Sequence, residues 1–360
     1  MKASTGQKYL GDIISNNGSI RNTIEERKSK GFGIVNEIIA ILCDIPLGRF
    51  KMEIGLRLRQ AMLLNGILFN SEAWYDISET EIKMLEAVDE HLLRALVKAH
   101  SKTAMEFLYL ESGAFPIRFI ISSRRLLYHH NILRREETEL VKRIYLEQTK
   151  NPTKGDFVEL LKEDFKMLDM VQNDEKIQKI NKKTYKQIIR KCIKNAALRY
   201  LTKKQESHSK INMIKYSELE TQKYMISPIF SNEEVNQLHA LRAKTTNCKM
   251  NFKNRFKVGD LLCNLCENEN QDQKHLLQCS VVKRKLKSSH VAKQKIEYEH
   301  IYSDDLNKQK EITSLFLEIF NIKNKLETEQ NSRLAPSTVD MVLVRDDNLP
   351  CGIVHPSSRK

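Results

Sequence analysis

The sequence predicts a mostly α protein, and three observations predict it. Only 12 Gly and 7 Pro occur in 360 residues, too few for a turn-rich all-β fold. From Ile20 onward the apolar residues recur at helical spacing. With 41% hydrophobic residues, the chain has the apolar material for a real core. The expected order is a strand-type start over 1–19, a helical bundle over 20–150 and a basic helical region over 151–240. A small Cys/His module over 241–287, a helical segment over 288–328 and a disordered tail over 329–360 complete it.

Tyr9–Ile14 is a β-type run, and Asn17-Gly18 after it is a tight-turn pair. A lone half-hairpin needs a partner sheet, so this start reads as the end of another domain. Ile24, Val35, Ile38, Ile39 and Leu42 share one helical face, which Pro46-Leu47-Gly48 terminates. A second apolar segment covers Met52 to Phe69. Ser78 and Glu81 form a capping box ahead of the stripe Ile82, Leu85, Val88, Leu92 and Leu96. Pro116 suits the first position of a long helix running towards Leu146. Asn151 to Asp156 and Gln205 to Lys210 are the linker candidates. Glu233 to Lys244 and Lys308 to Leu326 are the later helices, the last with Ile312, Leu315, Phe316, Ile319 and Phe320 as its apolar face.

Charge narrows the function. Lys and Arg number 60 against 46 Asp and Glu, a net +14. Such a surplus attracts polyanions, because each phosphate neutralised releases counterions. The charge is also clustered. Lys176 to Lys204 holds eleven cations and no acidic residue, with Ile177, Ile180, Ile188, Ile189, Ile193, Ala197 and Leu201 interleaved. This spacing predicts a helix with one buried and one positive face. An ordinary solvated lysine face is the competing reading, but such faces mix signs to gain i,i+4 pairs. Lys179, Lys182, Lys183, Lys186, Arg190, Lys191 and Lys194 are therefore the candidate phosphate contacts, positioning a strand rather than reading its bases.

The most specific motif is Cys263-Asn-Leu-Cys266 followed by His275 and Cys279. Two cysteines separated by two residues turn their sulfurs to one point, and His275 and Cys279 project from one side of a helical turn. Four such ligands complete a tetrahedron that suits Zn²⁺ and leaves no open position for a catalytic water. A structural zinc site is expected, coupled to folding of the local loop. A redox-active Cys-x-x-Cys is the alternative, and Cys248 is a nearby substitute ligand. Lys253, Arg255 and Lys257 before the site and Lys283, Arg284 and Lys285 after it give it cationic flanks for nucleic acid. Phe252 and Phe256 are either base-stacking residues or core residues at i,i+4.

No run of about 18 apolar residues occurs, so no membrane span is expected. Met1 to Ser15 lacks the pattern of a signal peptide, and the seven cysteines read as reduced thiols around one cluster. The chain is expected to be nuclear or cytoplasmic rather than secreted. It carries no P-loop, His-Glu-x-x-His, Gly-x-Ser-x-Gly or Gly-x-Gly-x-x-Gly.

An ordered series of segments resembles the reverse transcriptases of non-LTR (LINE-type) retrotransposons. Lys8-Tyr9-Leu10-Gly11 with Ile14 resembles the strand that closes their palm. Ile67-Leu68-Phe69-Asn70-Ser71-Glu72-Ala73-Trp74, then Leu85 and Leu92-Leu93-Arg94, resemble the segment that follows. Glu111-Ser112-Gly113, Pro116-Ile117 and Arg124-Arg125-Leu126 with Tyr128 are similar to a further stretch. Leu241-Arg242 with Cys263, Cys266, His275 and Cys279 look like their C-terminal CCHC zinc knuckle, with three rather than four residues between His275 and Cys279. The resemblance spans about residues 7 to 285.

It implies a palm-hairpin remnant over 1–19, a thumb-like bundle over 20–150 and a knuckle that helps to grip RNA or DNA. The partners implied are nucleic acid and a polymerase palm domain, which would be supplied in trans in the enzyme alternative. A non-enzymatic protein-interaction module is the third reading. Polymerisation needs carboxylates that hold two Mg²⁺ ions, and in the family an aromatic-x-Asp-Asp hairpin upstream of Tyr9 supplies them. Tyr302-Ser303-Asp304-Asp305 is the one similar string, but its charged flanks suit a helix start instead. No catalytic residue is assigned. Val339 to Pro350 resembles a segment near the end of Bel/Pao-type LTR-element polyproteins.

Overall fold

The computed structural model describes residues 6–9, 12–15, 19–46, 48–74, 77–255, 258–286 and 296–334. Of these, 69% are helical and 2% are in strands, as the periodicity predicts. The start differs from expectation. Strands β1 (Gly6–Tyr9) and β2 (Asp12–Ser15) pair antiparallel, with Tyr9 opposite Asp12. The two paired strands thus both lie ahead of Asn17-Gly18, which falls outside the described residues. The ribbon docks on helix α1 (Arg21–Cys43), where Thr23 Oγ1 accepts from Ile13 N at 2.8 Å and Asp12 pairs with Arg27 at 3.1 Å.

Helix α1 buries Ile24, Val35, Ile38 and Leu42, with Ile39 at the edge of the face. Gly31 lets it lie close to its neighbours. A Cβ there would meet Val88 at 2.8 Å and Ile67 at 2.9 Å. The segment after Pro46 is helix α2 (Arg49–Leu58), running on through a π turn (Arg59–Leu64) and one α turn (Asn65–Ile67). Helix α3 (Glu79–Leu96) begins at the predicted Ser78–Glu81 capping box and buries Leu85, Val88, Leu92 and Leu96.

Helix α4 (Met105–Ser112) ends at Gly113, and α5 (Ile117–Leu133) starts with Pro116 as its cap. The expected run to Leu146 is two helices. Arg134 to Thr138 are exposed and polar, so no apolar face carries the helix onward, and α6 (Leu140–Lys150) starts afresh. The predicted linker at Asn151 to Asp156 is a capping turn. Asp156 accepts from Glu159 N at 2.8 Å and opens α7 (Phe157–Met167), which buries Val158 and Leu161. One hydrophobic cluster runs from Ile24 to Ile319, so the core continues across residues 150 and 240.

The long basic segment is also two helices, α8 (Asp174–Lys179) and α9 (Lys182–Glu206). Asn181 interrupts it, because its side chain accepts from Thr184 N at 2.9 Å and caps α9. The interleaved apolar residues behave as predicted, with Ile189, Ile193, Ala197 and Leu201 buried and only Ile188 exposed. Gln205, expected in a linker, is buried in the last turn of α9 and holds the returning loop by donating to Ile214 O at 2.7 Å.

Helix α10 (Asn232–Arg242) opens with a Ser231–Glu234 capping box. Two short helices, α11 (Gln273–Gln278) and α12 (Ser280–Leu286), follow. The last helix, α13 (Leu306–Leu334), packs against α10, α11 and α12. Asp305 caps α13, its Oδ1 accepting from Asn307 N at 2.9 Å, so Asp304-Asp305 is the helix start that the sequence indicated. The helix reaches Leu334, six residues into the expected tail. Residues 335–360, with the segment from Val339 to Pro350, lie outside the described residues. Among the described residues, no helix is long and apolar enough to cross a membrane.

Candidate metal centre and its basic surroundings

The predicted ligands come together. The ligand atoms of Cys263, Cys266, His275 and Cys279 all lie within 4.8 Å of one another. Local backbone geometry puts them there. After Cys263 the chain turns so that Glu267 N donates to Cys263 O at 2.8 Å, with Glu267 in the left-handed region at φ +58°. Cys263 N then donates to Glu269 O at 2.7 Å, closing a knuckle around the first two sulfurs. Asp272 caps α11 through His275 N at 2.6 Å, and Cys279 N donates to His275 O at 2.7 Å. That single helical turn sets the imidazole and the third thiol on one side.

The electrostatics suit a cation. His275 Nε2 lies 3.3 Å from Cys266 Sγ, and its Nδ1 lies 3.0 Å from Glu269 Oε2. A carboxylate on Nδ1 fixes the proton there and leaves the Nε2 lone pair facing the sulfurs, a common support for a metal-bound imidazole. Burial pushes Cys279 up to about 11, partly offset by the Val281 and Val282 amides. At Cys266 burial opposes ionisation, but the Asn268 amide and the neighbouring ligands prevail and bring it down to about 7. Three thiols and one imidazole converging in this way can hold a metal ion. The remaining cysteine nearby is not part of the set. Cys248 is buried, touches Thr246 at 3.7 Å and is pushed by burial up to about 12.

The cationic candidates are distributed less evenly. Lys283, Arg284 and Lys285 are exposed on α12, directly after the last ligand. Lys253 and Arg255 are exposed before the knuckle, whereas Lys257 lies outside the described residues. Lys179 ends α8, and Lys182, Lys183, Lys186, Arg190 and Lys191 are exposed on α9. Lys194 is different. Its Nζ is held by Glu218 at 2.6 Å and Glu220 at 2.5 Å, and hydrogen bonds to these two carboxylates raise its pKa. Residues distant in sequence neutralise it. Arg199 is likewise paired, with Asp169. Helix α9 packs on α4 and α5, while the knuckle helices pack on α13.

Two features escape sequence reading. Lys323 of α13 is buried and pairs with Glu327 at 2.9 Å, and Asn264 of the knuckle donates to the same carboxylate at 3.1 Å. The final helix thus braces the metal loop. Phe252 is ringed by charge, with Arg255 at 5.1 Å and Lys210 at 5.5 Å from its centroid and the His100 ring at 5.3 Å. It is half-buried rather than in the core cluster, the case the i,i+4 spacing left open; Phe256 lies outside the described residues. No protein-family model, curated protein or solved structure matches the chain.

Proposed function

We propose that this chain binds nucleic acid without performing chemistry on it, and that the metal of its Cys₃His site is a structural Zn²⁺. The observation that carries this reading is the closed four-ligand cluster flanked by the exposed cations of α12 and of the segment before the knuckle. Four ligands leave no position for a reacting water, and three thiolates with one imidazole favour zinc over hard cations. The acid-free exposed row Lys182, Lys183, Lys186, Arg190 and Lys191 supplies a second surface for phosphates. The resemblance to non-LTR reverse transcriptases points the same way, towards a thumb-and-knuckle portion of such a polymerase. The Tyr302–Asp305 string serves as a helix cap, so its carboxylates are not read as metal-holding ones.

The test is binding of RNA and single-stranded DNA by the zinc-loaded chain across a salt series, repeated after chelation. Micromolar or tighter binding that weakens steeply with salt, and drops when zinc is removed, is the expected result. Negligible binding at low salt overturns the reading and leaves a protein-interaction module.

A further inference from the structure

Between the α3–α4 connection, α10 and the segment before the knuckle lie two adjoining cavities that share His100 and Thr245. The first, about 260 Å³, is walled by Phe252, Arg255 and Asn247 and has no acidic residue in its lining. Lys210 and Arg255 stand over the Phe252 ring. Lys102, Lys210, Lys244 and Arg255 form no ion pair with a carboxylate among the described residues. His100 Nδ1 accepts from Lys102 N at 2.9 Å, which leaves Nε2–H as a neutral donor. No carboxylate balances this charge, although Lys210 Nζ donates to Asn251 O at 2.6 Å. Burial and then Arg255, Arg94, Lys210 and Lys102 lower the pKa of His100, and burial with Lys102 and Lys244 lowers that of Lys210.

The second cavity, about 410 Å³, has a different chemistry. Asn236, Gln237 and His239 of α10 line it, and Asn236 Oδ1, Gln237 Nε2 and His239 Nε2 are buried without a hydrogen-bond partner among the described residues. Buried polar atoms left unpaired are costly, so a ligand that satisfies them is favoured. An amide oxygen, an amide nitrogen and a ring nitrogen match the mixed donors and acceptors on the edge of a nucleobase. An anion-attracting chamber therefore adjoins one suited to a base.

We propose that the two cavities form a subsite for one unpaired nucleotide. Its phosphate lies against Arg255 and Lys210 beside Phe252, and its base enters the neighbouring cavity to meet Asn236, Gln237 and His239. The site deepens the nucleic-acid reading above and rests on it for its natural ligand, since the same chemistry fits a free mononucleotide or a nucleotide within a strand. The cations position the ligand and the α10 side chains select it.

The experiment uses the full zinc-loaded chain. An oligonucleotide carrying 5-iodouracil is photo-crosslinked, and the attachment point is mapped by mass spectrometry. The expected crosslink falls within residues 236–255, and R255Q combined with F252L lowers oligonucleotide affinity about tenfold while zinc content is unchanged. UMP is expected to displace the crosslink at concentrations where inorganic phosphate does not. Crosslinks confined to other segments overturn the subsite, as does displacement by phosphate and UMP alike, which marks an anion hole that ignores the base. Loss of binding on charge removal in α9 with no effect of the R255Q/F252L pair overturns the subsite alone. UMP binding by a chain that binds no oligonucleotide keeps the subsite and overturns the nucleic-acid reading.

Discussion

Glu111 and Arg242, 131 residues apart in sequence, meet in the interior: Glu111 Oε1 accepts from Arg242 Nη2 at 2.9 Å and from Nε at 3.1 Å. Both side chains are almost fully enclosed. Tyr216 and Tyr224 donate to the same carboxylate at 2.5 and 2.6 Å, and Arg242 Nη1 donates to Ile301 O at 3.0 Å. The pair ties α4, α10 and the chain ahead of α13 into one unit. Removing one partner of a buried pair strands the other charge, so E111Q is expected to cost about 3–5 kcal/mol, read from the denaturation midpoint. A change below about 1 kcal/mol would show that solvent reaches Arg242.

Gly113 lies beside that network at φ +71°, and a Cβ there would come within 2.4 Å of Thr221 N. G113A is expected to destabilise by more than about 1 kcal/mol, since backbone strain and a backbone clash act together. Gly33, in the middle of α1, has nothing within 4 Å of a built Cβ. There the same substitution should stabilise by about 0.5–1 kcal/mol. Thermal melts of the two variants should shift in opposite directions.

His239 gives the fold an acid limit. Burial holds its imidazole down to about 4, with Arg242 and Arg94 assisting and Glu111 opposing. In the unfolded chain it takes a proton near pH 6.5, to an approximation. Between those values the unfolded state binds more protons, so stability falls as pH drops through that window, by roughly 3 kcal/mol from this group. H239Q should flatten this part of the stability–pH curve. A curve unchanged by the substitution would assign the acid sensitivity to other groups.

Metal removal is expected to loosen the knuckle and the end of the core, because Cys263 and Cys279 belong to the same hydrophobic cluster as α13. Co²⁺ in place of Zn²⁺ should give the visible and thiolate charge-transfer bands of a tetrahedral S₃N site. C279S should abolish the bands, and C248S should leave them intact.

On α9, neutralising Lys182, Lys183 and Lys186 together should weaken RNA binding and lower the slope of log affinity against log salt by about 1 for each phosphate left without its cation. K194Q should change neither, because Glu218 and Glu220 already balance that charge. Equal effects at both places would mean that the carboxylates release Lys194 in the complex.

Periodicity, capping and ligand spacing are local, and the sequence by itself determined what depends on them. The mostly helical class, the capping box at Ser78, the buried face of α9 and the Cys₃His set within seventeen residues all follow from neighbours along the chain. Breaks inside long polar stretches were harder to see. Asn181 as a cap and the exposed run after Leu133 each outweighed a continuing helical pattern by small local energies. Only the tertiary structure decided the long-range pairings. Glu111 with Arg242, Lys194 with its two carboxylates, and Phe252 beneath Lys210 and against the His100 ring depend on where the packed core brings distant backbone. The physical reason is that a charge's partner is set by distance in space, and burial of the apolar faces fixes that distance.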